Sequence, residues 1–144
     1  MINANAITKG NKTRLLNFSE IEHPLALQIG GSDPKLLAEA TKIGVDWGYD
    51  EINLNVGCPS SRVSSGDFGA VLMKRKDHVA KCVDAMAQFS SNVPISVKCR
   101  IAVDDQDPEK ILPSFIKTVS NSGVSIFIIH ARKAILSGLS PKDN

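Results

Sequence analysis

The sequence predicts an α/β fold that forms part of a TIM (β/α)8 barrel, and three observations lead there. Four apolar runs, Leu25 to Ile29, Glu51 to Val56, Ile95 to Ile101 and Ile126 to His130, alternate with segments of helical periodicity, the pattern of a parallel sheet with crossover helices. Side chains alternate across a strand, so each run has two faces. The face turned from the helices carries polar groups near the carboxyl end: Ala26 and Gln28, then Asn53 and Asn55, then Ser96, Lys98 and Arg100, then His130 and Arg132. In a doubly wound sheet such groups converge only at a switch point, whereas a barrel gathers all of them at one mouth. The third observation is length. A closed barrel takes about 250 residues, and the 144 present predict an incomplete one.

Taken in order, Lys9 to His23 is polar with isolated Leu15, Leu16 and Phe18, and reads as a connecting loop with at most a turn of helix. The first clear helix opens at Asp33, which can cap it, and Pro34, which suits a first turn. Leu36, Leu37, Ala40, Ile43 and Trp47 then fall on one stripe before Gly48 ends it. The second helix has its stripe at Val79, Cys82, Val83, Met86 and Phe89, and Asn92 to Pro94 breaks it. A third, opened by Asp107 and Pro108, has Ile111, Phe115 and Val119 on one side. Pro113 falls inside it, where a lost hydrogen bond costs about 3 kcal/mol, so this helix either starts later or kinks.

The segment of greatest chemical interest follows the second run. Gly57-Cys58-Pro59 pins a cysteine between two turn formers at the end of a buried strand, and a loop of small residues follows through Ser64, Ser65, Gly66, Asp67, Phe68, Gly69 and Ala70. A thiol so placed is a candidate acid or nucleophile, although the tripeptide by itself is equally compatible with a tight turn around a buried thiol. Cys82 and Cys99 fall on apolar faces and read as core. Lys98, Arg100 and His130 either line a site or pair with carboxylates in a wet interior, and their convergence from separate strands favours the site.

Composition narrows the class without naming it. A net charge of +2 neither announces nor excludes a nucleic acid, because electrostatic binding depends on where cations cluster. Three cysteines without CxxC or Cys/His spacing indicate no metal site and no disulfide framework. Neither a secretory leader nor an apolar run long enough to span a bilayer is legible. The expectation is a cytoplasmic protein with no membrane association and no internal repeat.

Asn53 to Pro59 continuing into Ser64 to Ala70, Pro94 to Arg100, Leu25 to Gly31, and His130 to Ala134 continuing through Gly138, Leu139, Ser140, Pro141 and Lys142 together resemble the tRNA-dihydrouridine synthases, and the last of these segments points to the A-type branch. The resemblance spans nearly the whole chain. It implies an FMN-dependent, NADPH-driven reduction of the C5–C6 bond of D-loop uridines in tRNA, at positions 20 and 20a, with hydride from reduced flavin and a proton from Cys58. That role asks for a protonated thiol. By position, Gln28, Lys98 and His130 match the family's flavin contacts and Asn55 its contact to the uridine. Arg100, Arg132 and Lys133 fall in or beside the substrate site, and Lys142 matches a tRNA-contacting position. A uridine in a stacked tRNA elbow would have to be extruded into such a pocket.

The same resemblance implies about barrel strands 2 to 6 with their helices, Met1-Ile2-Asn3-Ala4 falling in the middle of the second. The first strand, the last two strands and a C-terminal helical domain are expected to be lacking. The chain departs from the family's pattern at Asp67, where a basic residue is usual, and at Val71, Ala102 and Ile135. Two alternatives stay open: a remnant that is inert or complements a second polypeptide supplying the missing strands, and a flavin-dependent barrel reductase of a small pyrimidine.

Overall fold

The computed structural model describes residues 1–60, 63, 65–137, 139–140 and 143–144. Five strands, β1 (Ile2–Asn3), β2 (Ala26–Gly30), β3 (Glu51–Val56), β4 (Ile95–Arg100) and β5 (Ile126–His130), form one sheet in which every pair is parallel and spatial order equals chain order. The helices α1 (Ala4–Lys9), α3 (Pro34–Trp47), α4 (Lys76–Ala87) and α5 (Pro108–Ser120) pack in succession, α1 on α3, α3 on α4 and α4 on α5. Sequential strand order with the helices in one continuous row is the wall of a barrel, since a doubly wound sheet reverses its strand order and covers both faces. The structure is an open arc of a (β/α)8 barrel.

The outer face of the arc is the core. Leu27 and Ile29, Ile52, Leu54 and Val56, then Ile95, Val97 and Cys99 meet Leu37, Val79, Val83, Met86 and Phe115 from the helices, all of them buried. The caps read from sequence are present: Asp33 accepts from Lys35 and Leu36 at the start of α3, and Gly48 ends it with φ +98°. Asp107 caps α5 on the Glu109 amide. This helix begins at Pro108 and continues past Pro113 to Ser120, which excludes the later start. The carbonyl that Pro113 leaves without a donor belongs to Glu109, which is exposed, so water can answer it.

Three expectations need correcting. The stretch from Lys9 to His23 is more ordered than a loop: α1 is followed by α2 (Lys12–Leu16) and a 3-10 turn at Glu20–Glu22. Asn3 and Asn11 cap the two short helices, accepting from Asn5 and Arg14. Phe89 lies beyond the end of α4 and is 46% exposed, so it is not on the core stripe. The last strand also lacks the covered outer face that its sequence suggests. Ile126 and Ile128 on the inner side and Ile129 on the outer side are each about two-fifths exposed, because nothing among the described residues pairs with the far edge of β5.

The amino ends of the strands are closed by packing and charge. Phe18 stands edge-on to both His23 and Tyr49, and the Tyr49 hydroxyl donates to the Leu16 carbonyl at 2.9 Å. His23 Nδ1 lies 2.6 Å from the Asp50 carboxylate, which also accepts from the Leu25 amide. At the carboxyl ends the chain after β3 doubles back on itself. The Ala70 amide donates to the Cys58 carbonyl at 2.8 Å, and Gly69, at φ +74°, passes so close that a Cβ there would lie 2.6 Å from that carbonyl oxygen.

Two measurements check these contacts. The hydrogen bond to Asp50 raises the His23 pKa above 6.5, and the same bond, with that from Leu25, lowers Asp50 below 3.8. The His23 contribution is full below 6.5 and is lost as pH rises through its folded value, while that of Asp50 is present above 3.8 and is lost as pH falls through its own. The pair therefore stabilises most between those two values. Asp50→Asn should move the NMR titration midpoint of His23 back toward 6.5. Gly69→Ala forces a side chain into a left-handed position against a carbonyl and should lower stability to urea by about 1–3 kcal/mol.

Candidate active site at the strand tips

The turn that carries Cys58 is built by Asn55. β3 places Glu51, Asn53 and Asn55 on its inner side, and beyond Val56 the chain turns so that the backbone amides of Gly57 and Cys58 both donate to Asn55 Oδ1, at 3.1 and 3.0 Å. Both lone pairs of that oxygen are then occupied. The Asn55 amide donates to Gln28 Oε1 at 2.9 Å, so the sequence-predicted flavin contact on β2 and the uridine contact on β3 touch each other. Cys58 itself is half-buried, its Sγ 3.6 Å from the Ser60 hydroxyl. The other two thiols are withdrawn from chemistry: burial pushes Cys82 and Cys99 up to about 11.

Strand register brings the cations to the same place. Asn55 is level with Lys98, and Arg100 is level with His130. The Lys98 side chain is half-buried and makes no hydrogen bond or ion pair among the described residues. His130 is exposed at the tip of β5, and the charge of Arg100, followed by burial and the charges of Lys98 and Arg132, holds its pKa below 6.5. A neutral imidazole among three cations results near neutral pH. Among the described residues none of these cations is ion-paired to a carboxylate, so positive potential remains on this part of the inner face. That suits a ligand with anionic or carbonyl character along one edge.

Arg100 is held by the backbone around it. It is 5% exposed, and its guanidinium donates to three backbone carbonyls: Gly57 at 3.1 Å, Lys133 at 3.1 Å and Asn144 at 3.3 Å. The same side chain thus ties the Cys58 turn to the segment after β5. Burial, then the nearby Arg132, lowers its pKa while Cys58 opposes the shift. Asp104 makes a parallel tie, accepting from the Leu136 amide at 2.9 Å and from Lys74 at 2.8 Å. Arg132 is exposed and donates to the Asp143 carbonyl at 2.7 Å, and Lys133 is half-buried beside it. Lys142 lies outside the described residues, as do Ser64, Gly138 and Pro141 of the segments singled out above.

The departure at Asp67 has a local partner. Its carboxylate sits 2.6 Å from Arg75, so the acidic residue is answered on the surface and leaves the inner cations alone. Sequence reasoning passed over Glu51 and Asp104. Glu51 was legible as the first member of the Glu51, Asn53, Asn55 alternation, whereas the backbone partners of Asp104 belong to loops that no periodicity describes. Among the described residues no three His, Cys, Asp or Glu side chains gather as metal ligands, and no helix is long and apolar enough to cross a membrane.

Comparison with known proteins agrees with this architecture. The family model described as dihydrouridine synthase matches residues 1–144. A tRNA-dihydrouridine(20/20a) synthase of Synechocystis sp. is 58% identical over 144 residues, all of this chain and 43% of the relative. The proteins of that name from Xanthomonas campestris pv. campestris and Escherichia coli K12 are 53% and 57% identical, with 43% and 41% of their lengths covered. The chain therefore spans about two-fifths of the curated relatives it matches. With a family match from end to end and a sheet of the corresponding kind, the chain belongs to the dihydrouridine synthase family.

Proposed function

We propose that this chain is the central catalytic piece of a tRNA-dihydrouridine synthase, acting at positions 20 and 20a of the D-loop with FMN as cofactor and NADPH as reductant. The observation that carries this reading is the meeting of the Cys58 turn, Asn55, Gln28 and Lys98 on register-paired strands. The residues fit the flavin by chemistry: Lys98, which has no ion pair among the described residues, and the neutral His130 suit a ring whose N1 and O2 edge is electron-rich when reduced. When bound, reduced FMN would supply the hydride that no side chain can.

The protein's own residues do the rest. Cys58 delivers a proton to C5 of the uracil as hydride reaches C6, so the two hydrogens enter neighbouring carbons and the double bond is consumed. Asn55 faces the base, Gln28 and Lys98 face the flavin edge, and Arg100 holds the turn that carries the thiol rather than gripping substrate. Arg132, Lys133 and Lys142 supply positive charge toward the tRNA backbone. A tRNA substrate implies a cytoplasmic protein. The free edge of β5 and its exposed Ile126 and Ile128 favour a second polypeptide that brings further strands.

The chain alone is expected to bind flavin more weakly than micromolar in a fluorescence titration and to reduce little tRNA. Supplied with a polypeptide corresponding to the unmatched segments of the Synechocystis relative, it should form dihydrouridine in unmodified tRNA transcripts with NADPH and leave free uracil untouched. Reduction of free uracil in preference to tRNA would overturn the proposal in favour of a small-pyrimidine reductase. In that assembly Cys58→Ala should slow tRNA reduction by about 10²–10⁴-fold while flavin reduction by NADPH continues. Lys98→Ala should instead raise the flavin dissociation constant by about tenfold or more.

A further inference from the structure

Five side chains on the inner face form one continuous hydrogen-bonded line across three strands. Beginning at the Cys58 turn, the amides of Gly57 and Cys58 donate to Asn55 Oδ1, and Asn55 Nδ2 donates to Gln28 Oε1 at 2.9 Å. Gln28 Nε2 donates to Asn53 Oδ1 at 2.7 Å, and Asn53 Nδ2 to the Ser96 hydroxyl oxygen at 2.7 Å. Ser96 Oγ then donates its own hydrogen to the Glu51 carboxylate. Ser96 is fully buried and Asn53 and Asn55 are 3% and 8% exposed, so water has little access to the middle of the line, while Gln28 and Glu51 are half-buried.

The direction of this line is forced at both ends. Backbone N–H groups can only donate, so Asn55 must turn its oxygen to them and its NH2 to Gln28. The Gln28 oxygen is then the acceptor and its NH2 must donate onward, and the same step repeats at Asn53 and Ser96. A carboxylate can only accept, so Glu51 is the terminus that this order requires. Glu51 has no ion-pair partner among the described residues, and its inner-face hydrogen bond is to Ser96 alone. Each member polarises the next in a poorly solvated setting, so an anion at the end strengthens every bond before it.

We propose that Glu51 is a remote positioning residue: its carboxylate supplies the terminal acceptor that the line through Ser96, Asn53 and Gln28 requires, and so steadies Asn55 as the anchor of the Cys58 turn. A consequence follows for recognition. With both lone pairs of Asn55 Oδ1 occupied by the turn, the only group Asn55 has left is one N–H hydrogen, so whatever it meets must offer an acceptor. A carbonyl of uracil does so; the exocyclic amino group of cytosine does not. Only this consequence rests on the proposed function. The line itself does not.

The test uses the isotopically labelled chain without cofactor or tRNA, so its outcome is separate from that of the tRNA assay. Amide hydrogen exchange is followed at Gly57 and Cys58, with Leu54 and Val97 as references in the neighbouring core. Glu51→Ala and Ser96→Ala should each speed exchange at Gly57 and Cys58 by about tenfold, as expected for loss of a charge-assisted bond, and raise the alkylation rate of Cys58. The reference amides should change less than about twofold. Glu51→Gln keeps an acceptor without the charge and should fall between wild type and Glu51→Ala. Unchanged exchange at the turn, an equal rise at all four amides, or a Gln variant no different from the Ala variant would overturn the proposal. Should Glu51→Ala give no dispersed spectrum, Glu51→Gln and Ser96→Ala decide in the same way, and collapse of all three overturns it by making Glu51 a requirement of folding.

Discussion

A sheet face lined with amides is tolerable beside a core only if each amide is answered, and the inner face of β3 meets that condition through its neighbours. Asn53 and Asn55 sit on the most central strand of the arc, too buried to be left to water. An unanswered amide there costs about 1–3 kcal/mol. In-register pairing places Gln28 on one side of Asn53 and Ser96 on the other, so the cross-strand spacing of a parallel sheet brings donors and acceptors within reach. The outer face needs no such arrangement, since Ile52, Leu54 and Val56 are simply packed. One strand therefore obeys two different rules on its two sides, and the Cys58 turn grows from the polar one.

Much of this was readable from residues alone, and the limits have physical causes. The strands and α3 and α4 announce themselves because a parallel α/β wall imposes long apolar runs and helical stripes. The short helices α1 and α2 do not, since five or six residues make too few turns for a stripe and owe their ends to Asn3 and Asn11. Phe89 fitted a helical period that the helix did not extend far enough to use. Alternation placed Asn55, Lys98, Arg100 and His130 on the same face correctly, but it could not say what each touches. Arg100 shows why: its partners are carbonyls of Gly57, Lys133 and Asn144, and backbone groups of loops carry no residue-type signal.

The two halves of the site differ in how firmly they are held. On the Cys58 side, Asn55 grips two amides, Ala70 and Gly69 press on the Cys58 carbonyl, and Gly57 is fixed by Arg100. On the His130 side, β5 pairs among the described residues with β4 alone, and its isoleucines are exposed on both faces. What restrains this side is polar: Arg100 holds the Lys133 carbonyl, Asp104 holds the Leu136 amide, and Val103 bridges to Ala134. A strand paired on one side among the described residues, with isoleucines two-fifths exposed, opens at lower free energy than a packed core.

That asymmetry separates what the arc can do from what it cannot. Geometry at the Cys58 turn is set by short-range contacts inside the arc. Affinity for a planar ligand needs both sides, and the ordering of the β5 side would be charged against binding. The inner cations add to this: the charge of Arg100, then burial and the charges of Lys98 and Arg132, hold the His130 pKa down, and burial and Arg132 lower that of Arg100. The Cys58 turn is thus held by contacts inside the arc, whereas the β5 side would be ordered by strands paired to its free edge.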